Sequence, residues 1–158
     1  MRVLTRSGVM GAAATAMLLS GGIGVMAQDK MAAVTMRQDF MKAQGADVKA
    51  ITEFSKGQGD KDAALKAVND LLARAPKIDD QFPTGTSSTD FPDKSAAKPE
   101  IWTDWDKVKM IPAALQGEEQ KLKTAIESGT PQDVTDALGA MGKNGCGTCH
   151  TNYRVKKT

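Results

Sequence analysis

The sequence predicts an all-α protein, an antiparallel up-down-up-down four-helix bundle, and three observations lead there. Apolar residues recur at three- and four-residue steps in four separate segments. Glycine and proline stops divide those segments, with short first and third connections and one long middle one. No segment shows the apolar–polar alternation of a strand, and there is no internal repeat. Helices with one apolar stripe each bury those stripes most simply against one another.

The chain has 158 residues, and its beginning has the pattern of a leader. Arg2 and Arg6 form a positive start, and Val9 to Val25 is mostly small and apolar. Val25-Met26-Ala27 offers small residues at the two positions a signal peptidase reads. Residues 1–27 therefore read as a signal peptide and 28–158 as one domain, long enough for a real core. A membrane anchor is the competing reading. Gly21-Gly22, Gly24 and the scarcity of large aliphatics would make it a weak span, so no membrane span is expected after processing.

Lys and Arg number 21 against 19 Asp and Glu; without Arg2 and Arg6 the balance is 19 against 19. A formally neutral mature chain gives no support for nucleic acid as a partner.

The first helix is expected from Met31 to about Ser55, with Val34, Met41 and Val48 seven apart and Gln44, Ile51 and Ser55 filling the same side. Lys56-Gly57-Gln58-Gly59 stops it. Asp60 is a good N-cap for the second helix, whose apolar face is Ala64, Leu65, Val68, Leu71, Leu72 and Ala75, with Pro76 as its stop.

Residues 76–98 read as a long loop. Phe82 and Phe91, each followed by proline, suggest that it folds back across the end of the domain. Pro99 is placed as a first helical residue. The third helix is expected along Ile101, Trp102, Trp105, Val108, Ile111 and Leu115 to Leu122 and Ile126, kinked at Pro112. Gly129-Thr130-Pro131 is a stop, a cap and an N1 proline in succession. The fourth helix carries Val134, Leu138 and Met141, with a break expected at 142–145.

After that break comes Cys146-Gly147-Thr148-Cys149-His150, the attachment pattern of a c-type haem. Each thiol adds across one vinyl group of the porphyrin. On a helix, Cys146 and His150 share a face, which directs the imidazole at the iron. A disulfide, a thiol redox pair and half a zinc site are the competing readings. A structural zinc site takes four protein ligands, and the chain has two cysteines and one histidine. A thioredoxin-like pair wants a βαβ context, which is absent. One covalently attached haem c is the expectation. Haem attachment in bacteria takes place outside the cytoplasm, which agrees with the leader and implies a periplasmic protein.

Arg37-Gln38, Lys56-Gly57, Lys98-Pro99-Glu100-Ile101-Trp102 and, most specifically, Cys146 to Arg154 carry a resemblance to the cytochrome c-prime family, the class II c-type cytochromes. It covers essentially all of 28–158. Cytochrome c′ is itself a standard example of a four-helix bundle, here with haem near the C-terminus.

His150 is the only histidine, so bis-histidine ligation is excluded by counting. The sixth position is left to methionine, another weak ligand, water, an exogenous gas, or nothing. An up-down-up-down bundle sets the end of helix four level with the beginning of helix one, which carries Met31, Met36 and Met41. At about 100° per residue Met41 falls within the stripe of Val34 and Val48, whereas Met36 points about 140° away. Met41 is therefore the candidate ligand, against the plainer reading of a gap-filling core residue.

The resemblance adds to this. Relatives with five-coordinate, high-spin iron carry leucine or another bulky non-ligand where this chain has Met41, and a low-spin subgroup carries a ligating methionine there. Arg37 matches a family arginine near the haem propionates, and Arg154 one beside the proximal pocket; as residues alone both would be solvated surface charges. Trp102 and Trp105 read as core and loop-packing residues.

No catalytic acid, base or nucleophile stands out, so the chain is not expected to be an enzyme. The expected function is one-electron transfer through iron held by His150 and Met41, between unidentified redox donor and acceptor proteins. The alternative is a five-coordinate centre that binds nitric oxide or carbon monoxide. The resemblance also implies a homodimer formed through the first two helices.

Overall fold

The computed structural model describes residues 22–156, with side chains from residue 28 onward. The expected leader over 1–27 lies outside the described residues, save for the backbone of 22–27. Seven α-helices are present among the described residues: α1 (Gly22–Ser55), α2 (Lys61–Arg74), α3 (Glu100–Thr103), α4 (Trp105–Val108), α5 (Ile111–Ser128), α6 (Pro131–Ala140) and α7 (Gly147–Tyr153). A six-residue π-helical turn, Met141–Cys146, joins α6 to α7.

α1 packs on α2, α2 on α5, α5 on α6, and α6 back on α1. That closed ring is the antiparallel up-down-up-down four-helix bundle, with α6, the π turn and α7 forming the fourth member. Its core is one continuous cluster that includes Ile51, Val68, Leu71, Leu122, Ile126 and Val134. Full burial of each such side chain contributes roughly 1.5–3 kcal/mol.

Local chemistry explains most boundaries. Gly57, with φ 72°, takes the left-handed conformation that ends α1. Asp60 accepts from the Asp62 amide at 3.1 Å and caps α2. Thr130 and Asp133 form a reciprocal capping box, and Pro131 occupies the first turn of α6.

Four expectations are corrected. α1 starts at Gly22, nine residues before Met31. The third bundle helix starts at Ile111, not at Pro99, and residues 100–108 form the two single-turn helices α3 and α4. Pro112 is the cause: it lacks an N–H, and its ring would meet the Val108 carbonyl of a continuous helix, at a cost of about 3 kcal/mol. At the start of α5 that cost is absent, so the expected kink becomes a boundary. The expected break at 142–145 stays helical through the wider π turn. Phe82 folds back as expected, but Phe91 is half-buried and outside both apolar clusters.

The loop of 75–99 closes one end of the bundle. It contains two 3-10 turns, Ala75–Lys77 and Asp79–Gln81. Its last residues run beside the end of α7. Lys98 N donates to the Tyr153 carbonyl at 2.9 Å and Val155 N to the Ala96 carbonyl at 2.8 Å, around a single bridge between Ala97 and Arg154. Tyr153 is buried, and its hydroxyl donates to Asp104 Oδ2 at 3.3 Å. The C-terminal helix is thereby fixed at its far end as well as through the π turn.

Candidate functional site

Where the loop meets the bundle, a cleft of about 300 Å³ lies between α1, α5 and the π turn. That is the lower end of the range for a bound organic ligand. α1 contributes Met41, Gln44 and Val48, and the loop contributes Ile78 and Phe82. The start of α5 contributes Ile111 and Leu115. The fourth bundle member closes it with Leu138, Met141, Cys146, Cys149 and His150. Among the described residues no charged side chain lines it, so it suits a large, flat, apolar group better than a phosphate or a sugar.

The π turn sets the geometry of the motif. A π turn holds one residue more than an α turn, which rotates Cys146–His150 relative to the stripe of Val134, Leu138 and Met141. The glycines permit this. A Cβ on Gly145 would lie 2.5 Å from Leu115 Cδ1, and one on Gly147 would lie 2.8 Å from the Gly142 carbonyl oxygen. Outside the cleft, Thr148 Oγ1 donates to the Asn144 carbonyl at 2.7 Å and Asn152 Nδ2 to the Thr148 carbonyl at 2.9 Å.

Electrostatics matches the geometry. Cys146 and Cys149 are free thiols. Burial pushes the Cys146 thiol up, with the charge of Glu119 adding to the effect; burial and then Cys146 do the same to Cys149. Such thiols are the opposite of the acidic cysteines of disulfide exchange. His150 is exposed as a residue but lines the cleft; partial burial there holds its imidazole below the ordinary range, and the nearby Arg154 charge adds to this. A neutral imidazole is the form that binds a metal. The donor set and the apolar walls therefore fit a covalently held haem: two thiols to attach it, an imidazole for the iron, and Met41 on the facing helix.

Met41 is half-buried in the cleft wall, and Gln44 Nε2 donates to its Sδ at 3.4 Å. Met36 is 66% exposed. Arg37 and Arg154 are not among the cleft-lining residues. Arg154 is exposed. Arg37 is buried, and its two terminal nitrogens make four bonds: Nη1 to the Gln81 carbonyl and Thr86 Oγ1, Nη2 to the Thr86 carbonyl and Ser95 Oγ. Its guanidinium also lies 5.1 Å over the Phe82 ring. Phe82 meets Trp102 edge-on at 6.5 Å and accepts from Trp102 Nε1 through its carbonyl at 2.9 Å. Arg37 thus supports the cleft through the Phe82 wall and does not line it. Trp102 and Trp105 pack in the apolar cluster under the loop.

Sequence reasoning missed Phe82 as a wall residue, Gln44 as the partner of Met41, and Glu119. Only the last left a clear signal: Leu115, Glu119, Leu122 and Ile126 are spaced four, three and four apart, which puts an acid on the buried stripe of α5.

The family described as Cytochrome C′ matches this chain over residues 32–154. A cytochrome c-556 from Agrobacterium fabrum is 34% identical over 148 residues, covering 90% of this chain and 94% of that protein. Among solved structures, a cytochrome c′ from Rhodobacter sphaeroides superposes with a TM-score of 0.72 at 26% identity, covering 81% of this chain and 98% of that one. A ferrous variant of cytochrome c prime from Alcaligenes xylosoxidans with bound NO gives a TM-score of 0.66 at 28% identity, covering 81% and 97%.

Proposed function

Because the chain belongs to the cytochrome c′ family and is a haem protein of the electron-carrier type, we propose that it is a periplasmic carrier of single electrons. Covalently bound haem c is its cofactor, and in this reading Cys146 and Cys149 would form the two thioethers while His150 and Met41 would hold the iron. The haem supplies a centre that cycles between ferric and ferrous iron.

The residues of the chain do the rest. The apolar walls exclude water, which limits reorganisation and side reactions, and a thioether ligand favours the ferrous state. Gln44 holds the Met41 sulphur on the cleft side of α1 through its amide N–H.

The observation that carries this reading is that Met41 and His150 line the same cleft from facing elements, α1 and α7. Electron paramagnetic resonance of the purified ferric protein tests it: a low-spin signal is expected, and a high-spin signal overturns it. In that case the second reading holds, a five-coordinate centre that takes nitric oxide or carbon monoxide against Met41. The apolar wall and the NO-bound relative favour that reading.

The proposal includes removal of Met1–Ala27 and release of a mature chain. No helix among the described residues is long and apolar enough to cross a membrane. N-terminal analysis of exported protein should begin at Gln28; a mature protein that retains Met1 would contradict this. Redox donor and acceptor proteins and pairing of two copies belong to the same proposal, the latter carried by the family resemblance.

A further inference from the structure

Glu119 lies in the middle of α5 with no solvent exposure, and neither carboxylate oxygen has a hydrogen-bond partner among the described residues. One turn before it, Leu115 lines the cleft and meets Gly145 of the π turn. On its other side, Leu122 and Ile126 continue into the bundle core. The charge of Glu119 is felt at the Cys146 thiol, the attachment point on the cleft wall.

Among the described residues no cation pairs with it. On α5 itself, Lys121 pairs with Glu118 and Lys123 with Glu127. On α2, Lys66, Asp70 and Arg74 form their own chain of contacts, which ends on Asp47 of α1. Lys61 donates to the Glu127 carbonyl. Lys77 and Lys143 are exposed. Asp133 caps α6, and Asp136 accepts from Gln132. A carboxylate in such surroundings is strongly disfavoured, and burial pushes its pKa up to about 7.

We propose that Glu119 is the proton site of a coupled one-electron, one-proton centre, taking up a proton when the haem held at Cys146 is reduced and releasing it on oxidation. The inference rests on the electron-carrier reading. The balance is simple. One electron arrives from a donor protein, one proton arrives from solvent, an O–H bond forms at a Glu119 oxygen, and no bond in the chain breaks. The electrostatics sets the direction. A ferric haem held at Cys146 would carry one more positive charge than a ferrous one and would favour the anionic form of Glu119, whose charge acts on that cysteine. Reduction removes that charge, and in a low-dielectric core with no other cation paired to it among the described residues the carboxylate then gains a proton.

The experiment is the midpoint potential of the holoprotein across about two pH units on either side of neutrality, with Glu119→Gln and Glu119→Leu. The wild-type potential should fall as pH rises, with a slope approaching about 59 mV for each tenfold change in proton activity. Glu119→Gln removes the proton site at constant shape, and Glu119→Leu removes the polar group altogether. Both should flatten that slope. Infrared difference spectra should show a protonated carboxyl band appearing on reduction of the wild type and absent from Glu119→Gln. An unchanged slope in the variants, or no such band, overturns the proposal while leaving the carrier reading intact. A wild-type protein that fails to cycle reversibly between ferric and ferrous states overturns the carrier reading and this proposal with it.

Discussion

Arg37 Nη2 donates to the backbone carbonyl of Thr86 at 2.8 Å, tying the first bundle helix to a loop residue 49 positions further on. This bond and its three companions hold the loop that carries Phe82, so a buried cation far from the motif shapes one wall of the cleft. Removal of Arg37 takes a donor from the Gln81 and Thr86 carbonyls, of which only Thr86 keeps another, the Ser95 hydroxyl. Arg37→Met should cost about 3 kcal/mol in chemical denaturation and shift the haem absorption through the loosened Phe82 wall. Unchanged stability with an altered reduction potential would instead assign Arg37 to a haem propionate.

The attachment claim is tested by mass. The mature protein should exceed the polypeptide of residues 28–158 by one haem. Cys149→Ala should yield little holoprotein, and Cys146→Ala should retain a single thioether and a shifted spectrum. A native mass equal to that of the bare chain contradicts covalent attachment.

Glu119 has a consequence for stability. Its pKa is raised from 4.5 to about 7 by burial, so the folded state holds this proton more firmly than the unfolded chain does. The stability it contributes is therefore complete below its ordinary value and is lost as pH rises to about 7. Relative to Glu119→Gln, the wild type should lose about 3 kcal/mol over that range, read by guanidinium denaturation of the holoprotein. Asp90 and Asp133 work in the opposite sense, since hydrogen bonds from Ser87 and Thr130 hold their carboxylates below the usual range. The comparison with the variant separates the two effects. A pH-independent difference between wild type and variant would contradict the assignment.

The bundle was legible because its signals are local. Asp60, Thr130 and Pro131 act within one turn, and the stripe of Ala64, Val68 and Leu71 repeats along one helix. The motif was legible because five consecutive residues hold its chemistry. What the sequence hid depends on distant partners. Nothing near Arg37 announces that Thr86 and Ser95 will take its guanidinium, 49 and 58 positions away. The division of 100–108 into two short helices follows from Pro112 together with the anchoring of Asp104 by Tyr153. The π turn requires Gly145 and Gly147 to meet Leu115 and Gly142 closely, a fact of packing and not of periodicity.

The most direct test of the electron-carrier account is the spin state of Met41→Leu set against Met36→Leu. The Met41 exchange keeps volume and apolar character, with a stability cost usually below about 1.5 kcal/mol, and removes only the sulphur. The wild type should be six-coordinate and low-spin, and slow to bind carbon monoxide. Met41→Leu should become high-spin, bind carbon monoxide readily when reduced, and show a lower potential. Met36 is 66% exposed, so Met36→Leu should keep the wild-type spectrum. A low-spin Met41→Leu, or a wild type that is already high-spin, would contradict iron ligation by Met41.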